Sequence, residues 1–352
     1  MGRIYMKYLM RLKKKAAILF SITIFINLNI TGCGKIADTK QAPYPSQNIN
    51  GIIAWGAGGG TDNVARRLQA GAEKVLGKSI IMSNKPGGAG ILATQYVYDQ
   101  KADGYTLLFN AETPPLYPIL GLPNLTYDKF EPVLLLVRGS SVIVVPKDSP
   151  YNTFEDLIKD AKAKPNKINL GISGVGGQPY ITAAILKKVD GVVFNQVPYD
   201  GDSSLITALL GKQIQVTALS VGAAAQYINN GDMKALVVMA NKPNPIIPNV
   251  PTAGDINPQY QKILKTSGFF YGVFVKKGTP KNVTDKLVEA FKRAYNDPKF
   301  QQYVISNGMV PLGLTGEEAK KFIKDWQSQM CWLIYEAGGA KESPEKFGIT
   351  KP

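Results

Sequence analysis

The sequence predicts an α/β protein in which two lobes of βα units follow one another. Three observations carry this expectation. The chain has 352 residues, enough for two domains of roughly 100–200 residues each. Strand-like apolar runs alternate with helical patterns, the rhythm of a parallel sheet with right-handed crossovers. Three glycine-rich turns each join such a strand to such a helix. Apolar residues at 45% and charged residues at 19% are ordinary for a folded chain and exclude wholesale disorder.

The first 32 residues read as an export signal rather than as part of the fold. Lys13-Lys14-Lys15 forms a positive flank, Ala16 to Ile30 carries no charge, and Thr31-Gly32-Cys33 follows. That is a basic region, a short apolar region and small residues before a cut. The apolar run contains Asn27 and Asn29, which argues against a spanning helix. Ile30-Thr31-Gly32-Cys33 resembles the bacterial lipobox. There the cysteine sulfur takes a diacylglyceryl group and the chain is cut just before it. Cys33 is therefore the expected lipidation site, with palmitate-type acyl chains as the membrane anchor. Each buried CH₂ of such chains adds roughly 0.8 kcal/mol. Residues 33–47, with Pro43 and Pro45, lack periodicity and read as a flexible tether.

The mature chain then divides in order. A short strand is expected over Asn50–Trp55, and a helix over Asp62–Leu76. Val64, Leu68, Ala72, Val75 and Leu76 share one face of that helix, and Gly77 ends it. Strands at Ser79–Asn84 and Tyr105–Asn110 flank a helix that reaches about Gln100. Val133–Val145 is long and apolar, broken by Arg138-Gly139, and is placed to cross between lobes. The second lobe alternates in the same way. Helices are expected at Thr153–Ala163, Tyr180–Lys188, Ser203–Leu210 and Gly222–Asn229, and strands at Lys167–Ile172, Val192–Val197, Ile214–Leu219 and Ala235–Met239. Phe269–Val275 is a strand placed to return to the first lobe. Thr279-Pro280 opens a helix as N-cap and first turn, with Val283, Leu287, Ala290, Phe291 and Ala294 as its buried stripe. Thr315 and Glu318 have the spacing of a capping box before a last helix whose core face is Phe322, Trp326, Met330 and Leu333.

Composition removes much chemistry. The chain has no histidine, which excludes His-based acid–base catalysis, the Ser-His-Asp triad and most transition-metal sites. Its two cysteines, Cys33 and Cys331, exclude a disulfide framework and a thiolate zinc site; Cys331 is expected to be an inert buried thiol. No metal or cofactor is expected. Six of the 41 basic residues (Arg3, Lys7, Arg11, Lys13, Lys14 and Lys15) lie in the first 32 positions, which hold no acid. The remaining 35 against 26 acidic residues make a balance of +9. These charges are scattered lysines without clustered aromatic platforms, so no nucleic-acid partner is expected.

The chemistry concentrates in the glycine-rich turns: Trp55-Gly56-Ala57-Gly58-Gly59-Gly60-Thr61-Asp62, Ser173-Gly174-Val175-Gly176-Gly177, and Tyr199-Asp200-Gly201-Asp202-Ser203. Such turns present several backbone N–H groups at the positive end of a helix, a natural seat for an anion. Glycine keeps side chains out of the ligand's way, and Ser and Thr add hydroxyl donors. The first turn is neither a Walker A loop nor a GxGxxG dinucleotide turn. Asp62 is expected to support its loop rather than meet a bound anion. Glu112 and Asp200 are the acids that could point into a cleft.

Five segments occur in an order that resembles one family: Gly56–Asp62, Asn84–Gly90, Ala102–Leu107, Val197–Gly201 and Pro248–Thr252. The similarity is to the substrate-binding proteins of tripartite tricarboxylate transporters, the Bug-type receptors, from about residue 46 to the C-terminus. The resemblance implies a two-lobed, periplasmic-binding-protein-like fold (type II, Venus-flytrap) with a ligand cleft between lobes. The lobes expected are 48–137 with 273–352, and 138–272. It implies a non-enzymatic, monomeric, extracytoplasmic lipoprotein that captures a small carboxylate and delivers it to integral permease subunits. Matched to this sequence, the carboxylate-binding turns are Gly58, Gly59, Gly60 and Thr61, and Ser173, Gly174, Gly176 and Gly177. Trp55, Ala111, Glu112, Tyr199, Asp200 and Ser220 would border the cleft. The chain departs from the family's pattern at Tyr180, often His; at Asp200, often Lys; and at Asn110-Ala111-Glu112-Thr113-Pro114, commonly Ser/Thr-rich. Two alternatives compete: an exported enzyme using Glu112 or Asp200 as base, and a sensing receptor for a membrane kinase.

Overall fold

A computed structural model describes residues 43–352. The expected export signal over residues 1–32, the expected lipidation site Cys33 and most of the expected tether lie outside them. Among the described residues the chain builds eleven strands and eleven α-helices arranged around two sheets.

The six-stranded sheet has the order β11-β4-β10-β3-β1-β2. Its strands are β1 (Ile49–Ile53), β2 (Ile80–Asn84), β3 (Thr106–Asn110), β4 (Phe130–Gly139), β10 (Phe269–Lys276) and β11 (Val310–Leu314). β1 is parallel to β2 and β3, whereas β10 runs antiparallel to β3 and β4, and β11 antiparallel to β4. The five-stranded sheet has the order β7-β6-β8-β5-β9. It comprises β5 (Ser141–Pro146), β6 (Asn169–Ile172), β7 (Asn195–Pro198), β8 (Val216–Ser220) and β9 (Met233–Val238). β6 is parallel to β7 and β8, and β5 is antiparallel to β8 and β9. The βαβαβ stretch over β1, β2 and β3 is parallel, as its rhythm implies, and the later strands make both sheets mixed. The strands that run against the rest are β10 and β11 in the first sheet and β5 in the second; β5 and β10 each follow a crossing between sheets.

The first sheet's early units follow from local sequence. Helix α1 (Gly60–Leu76) buries Val64, Leu68, Ala72 and Leu76, and Gly77 closes it in the left-handed region. Helix α2 (Ile91–Asp99) returns the chain to β3. In the second sheet, Thr153 and Asp156 form a reciprocal capping box at the start of α3 (Phe154–Ala163). Helices α4 (Gln178–Asp190), α5 (Asp202–Leu210) and α6 (Val221–Asn229) follow β6, β7 and β8. In β5, Val142 and Val144 face a core shared with Leu205, Leu209 and Leu219, while Ile143 and Val145 face the main core, the alternation a strand imposes.

Two short helices, α7 (Ala253–Ile256) and α8 (Pro258–Leu264), precede the return to the first sheet. Helix α9 (Lys281–Tyr295) buries all five expected apolar residues, but Pro280 is its cap. Thr279 instead turns its hydroxyl to the Lys276 carbonyl, so the boundary lies one residue later than expected. Helix α10 (Pro298–Ser306) follows. Thr315 caps the last helix, α11 (Gly316–Glu336), without a side-chain hydrogen bond, so the expected capping box does not form. Trp326, Met330 and Leu333 are buried on α11 and Phe322 packs partly against the core. Cys331 is fully buried among them, and burial pushes its thiol up to about 12. No helix of the described residues is long and apolar enough to cross a membrane.

The expected lobe limits, 137/138 and 272/273, fall inside two strands of the six-stranded sheet. β4 continues to Gly139, and β10 already pairs with it from Phe269.

Candidate functional site

Both sheets send helix N-termini to one small cavity of about 40 Å³. That is room for only two or three water-sized spheres. From the first sheet come Trp55 after β1, Gly59, Gly60 and Thr61 at the start of α1, Ala111 and Glu112 after β3, and Phe269 and Tyr271 of β10. From the second come Ser173 after β6, Gln178 and Pro179 at the start of α4, Gly201 and Asp202 at the start of α5, and Ser220 at the end of β8. Eight of the residues singled out from sequence therefore meet here: Trp55, Gly59, Gly60, Thr61, Ala111, Glu112, Ser173 and Ser220.

The other six lie off the cavity wall. Gly58 is exposed and borders an outer groove beside Arg66 and Arg67. Gly174 and Gly176 have positive φ and carry the turn against the first lobe. A Cβ at Gly174 would stand 3.0 Å from that of Ala89, and one at Gly176 would stand 2.7 Å from Leu120. Gly177 lies where a Cβ would strike the Ser173 hydroxyl at 2.2 Å, and it serves as the N-cap of α4. Tyr199 packs partly into the second core. Asp200 is exposed; its carbonyl accepts from the Gly56 amide at 3.3 Å and its own amide donates to the Ser204 hydroxyl at 3.1 Å. Asp200 is thus a turn residue, and the acid of that turn that reaches the cavity is Asp202. Tyr180 also points elsewhere, donating to the Gly339 carbonyl.

The first glycine corner is shaped by its own carboxylate. Asp62 is 3% exposed, and its Oδ2 accepts from the Gly58 amide at 2.9 Å. Its Oδ1 accepts from Arg66 Nε at 2.8 Å and from Asn84 Nδ2 at 2.8 Å. Asn84 also donates to the Trp55 carbonyl at 2.9 Å, tying the corner to β2. The loop-supporting role expected of Asp62 is the one its hydrogen bonds describe. Trp55 is held by its indole N–H on Asn110 Oδ1 at 3.0 Å. Gly60 must lack a side chain, because a Cβ there would stand 2.2 Å from the Tyr271 hydroxyl.

Two acids then occupy the places expected for a ligand's charge. Asp202 Oδ2 accepts from the Ser220 hydroxyl at 2.6 Å. Burial raises the Asp202 carboxyl, and the amides of Ser220 and Gly60 facing it partly offset this. Glu112 is 3% exposed and its Oε2 has no hydrogen-bond partner. Burial pushes it up to about 8, against its own amide and that of Gln178, with Asp202 adding to the rise. Gln178 Oε1 is likewise buried and unpartnered. The corner's amides are therefore less free than its glycine content implied. Gly58 serves Asp62, Gly59 turns to the Gly56 carbonyl at 3.3 Å, and Gly60 faces Asp202. The polar side chains that line the cavity are Thr61, Tyr271 and Glu112 from the first sheet's elements, and Ser173, Gln178, Asp202 and Ser220 from the second's.

Sequence reasoning missed Gln178, Pro179, Gly201, Asp202, Phe269 and Tyr271 as cavity residues. Asp202 and Gln178 carried a usable signal, since each is the first residue of a helix opened by one of the three turns. Phe269 and Tyr271 sit in an apolar strand that reads as core.

Among the described residues no group of three His, Cys, Asp or Glu side chains is placed to hold a metal. Two sheets, a double crossing and a cavity walled by helix N-termini from both sides define a two-lobed solute-binding protein of the periplasmic-binding-protein fold. Comparison with known proteins agrees. Residues 64–338 match the sequence model of the family described as "Tripartite tricarboxylate transporter family receptor", and the chain belongs to that family. It is 32% identical over 311 residues to the "UPF0065 protein in gbd 5'region" of Cupriavidus necator, covering 87% of this chain and 92% of the relative. Among solved structures it is similar to the periplasmic binding protein BugD, with a TM-score of 0.79 and 30% identity over 85% of this chain and all of that one. It is also similar to MatC from Rhodopseudomonas palustris with bound malate, with a TM-score of 0.73 and 25% identity, covering 82% of this chain and 100% of that one.

Proposed function

We propose that this protein is an extracytoplasmic lipoprotein, anchored through Cys33, that captures a small carboxylate between its lobes and delivers it to a tripartite tricarboxylate-type permease. The observation that carries the reading is the cavity between the two sheets. Helix N-termini from both lobes converge on it, with the Thr61 and Ser173 hydroxyls available to an anion. The malate seen in the related MatC structure and the periplasmic location named for BugD support the ligand class and the compartment. Residues 33–47 would tether a monomeric receptor to the membrane, and lobes of 48–137 with 273–352 and of 138–272 would close on the ligand. No cofactor enters this reading, because a receptor of this kind only binds.

Charge-assisted hydrogen bonds contribute roughly 1.5–3 kcal/mol each. Four of them support micromolar binding, about −8 kcal/mol, once ordering and closure are subtracted. Calorimetric titration of a broad panel of small carboxylates tests the proposal, with Trp55 fluorescence as a second readout. Silence from the whole panel in both would end it. Glu112, a buried acid raised toward neutrality, favours one second reading, an exported enzyme with Glu112 as base. Turnover of a bound ligand that disappears in Glu112→Ala would select that reading instead. Asp200, exposed and off the cavity, no longer serves as its base.

A further inference from the structure

An open groove of about 730 Å³ lies where the C-terminal ends of α4, α8 and α11 meet, and it shares no lining residue with the cavity between the sheets. Val189, Ile263 and Trp332 line it and are only partly buried, beside the buried Met330 and Leu333. A concave site of this volume with an apolar lining is the usual form of a small-molecule site. A contiguous apolar surface with a polar rim marks a place that something else covers.

The rim is basic. Four lysine side chains line the groove, Lys188, Lys262, Lys265 and Lys351, against one acidic side chain, Glu336. Glu336 already holds two of them: its Oε2 pairs with Lys188 and its Oε1 with Lys351 at 2.7 Å. Lys351 also lies over the Trp332 ring, 5.2 Å from its centroid. Lys262 and Lys265 are exposed and have no acidic partner among the described residues. Lys188 and Lys262 lie in the last turns of their helices, so the helix dipoles account for part of this charge. They give no reason for an apolar floor between the lysines.

We propose that this groove is a second binding site, for an anionic amphiphile with one alkyl chain and one acidic head, of the chemistry of a medium-chain fatty acid. The alkyl chain lies along Val189, Ile263 and Trp332, and the head meets Lys262 and Lys265. A bilayer surface takes up apolar groups that protrude into it, whereas a concave groove takes a single chain. The site is independent of the receptor reading, and either can stand without the other.

Decanoate is the probe. Decyltrimethylammonium carries a chain of the same length on a cationic head, and octanoate is two CH₂ groups shorter. Calorimetry on the chain from Gly34, without signal or anchor cysteine, should show saturable decanoate binding about tenfold or more tighter than that of decyltrimethylammonium. Octanoate should bind about five- to fifteenfold more weakly than decanoate, since each buried CH₂ is worth about fourfold. Lys262→Glu and Lys265→Glu should each weaken decanoate a few-fold, and together about tenfold or more, with the thermal melt reporting folding. A tryptophan fluorescence response that disappears in Trp332→Phe would assign the probe to this groove rather than to the cavity beside Trp55. Decyltrimethylammonium binding as tightly as decanoate would overturn the site. So would decanoate binding unchanged in both lysine variants and in the double variant, or a fluorescence response unchanged in Trp332→Phe. Absence of decanoate binding would also overturn it. In that case co-sedimentation with phosphatidylglycerol vesicles, lost in the double lysine variant, would assign the groove to a membrane surface instead.

Discussion

Replacing Glu112 by Gln should change how the protein's stability depends on pH. Its carboxyl is raised from 4.5 to about 8, first by burial and then by Asp202, against its own and the Gln178 amides. Its other titratable neighbours are the Tyr117, Tyr127 and Tyr271 hydroxyls, all themselves raised by burial and so silent below pH 9. The sign follows from proton binding. Between pH 4.5 and 8 the unfolded chain releases the Glu112 proton while the folded chain keeps it, so stability falls as pH rises through that window and is level on either side. At 1.36 kcal/mol per unit the full span is roughly 5 kcal/mol. Water reaching the cavity and local relaxation reduce it, and about 2–4 kcal/mol is the expected loss. A glutamine mimics the neutral acid and does not titrate. Urea unfolding of both proteins at a series of pH values therefore isolates Glu112, since every other group is common to the pair. The two should be nearly equal at pH 4, with Glu112→Gln gaining about 2–4 kcal/mol on the wild type by pH 8.5. Stability curves that run parallel to within about 0.5 kcal/mol would refute the claim that Glu112 is buried with its charge uncompensated.

Three further outcomes follow from the same geometry. Gly60→Ala sets a methyl 2.2 Å from the Tyr271 hydroxyl, so unfolding titrations should show a loss of about 1–3 kcal/mol, part of which Tyr271→Phe restores; an unchanged midpoint would mean the corner is looser than described. Asp62→Ala leaves the Gly58 amide and the Arg66 and Asn84 donors without their acceptor, and should cost about 1–3 kcal/mol and speed protease cleavage near residues 56–60; resistance equal to wild type would contradict the loop-supporting role. Cys331, fully buried with its thiol pushed up to about 12, should resist an aromatic disulfide reagent at pH 8 until urea unfolds the chain; reaction within minutes in the native state would be the contrary result.

Apolar periodicity made most of the scaffold legible. Helix α1 and helix α9 each present one buried stripe, and both lie close to where that stripe places them. Elements escaped where the stripe is thin. Helix α10 buries only Phe300 and Val304, and β11 is a half-buried edge strand containing Pro311 and Gly313, so neither carries a clear period. The βαβ rhythm gave the direction of β1, β2 and β3, but not that of β5, β10 and β11, because an apolar run looks the same in a parallel and an antiparallel ladder. The glycine turns pointed to the right place for a different reason than expected. Composition told of exposed amides at helix starts. It could not tell that Asp202 and Glu112 would face them, since that depends on which strand ends the tertiary structure sets side by side, whereas Asp62, in the first turn of its own helix, was legible as the loop's support. Asp200 and Asp202 show the limit well. They are two residues apart in one turn, yet only the one inside the helix reaches the cavity.

The two crossings between sheets bear directly on how occupancy could be sensed. β4 ends at Gly139 and β5 begins at Ser141, while β10 begins at Phe269, directly opposite Gly139 in register. A Cβ at Gly139 would stand 2.3 Å from the Phe269 ring, and one at Gly268 would stand 2.5 Å from the Gly139 carbonyl. The crossings thus lie against each other with glycine on both sides, so a few residues can absorb a change in lobe angle. Phe269 and Tyr271 are the first inward residues after that point, with rings stacked 4.7 Å apart, and both line the cavity. Phe270 between them faces the opposite way, edge-on to Phe322 and Trp326 in the core of the six-stranded sheet. One strand therefore lines the cavity on one face and packs into the core on the other, beside both crossings between the sheets. On the proposed receptor reading, an occupant that shifts the Phe269 ring, which rests on Gly139, would act on the crossings themselves and so couple binding to closure.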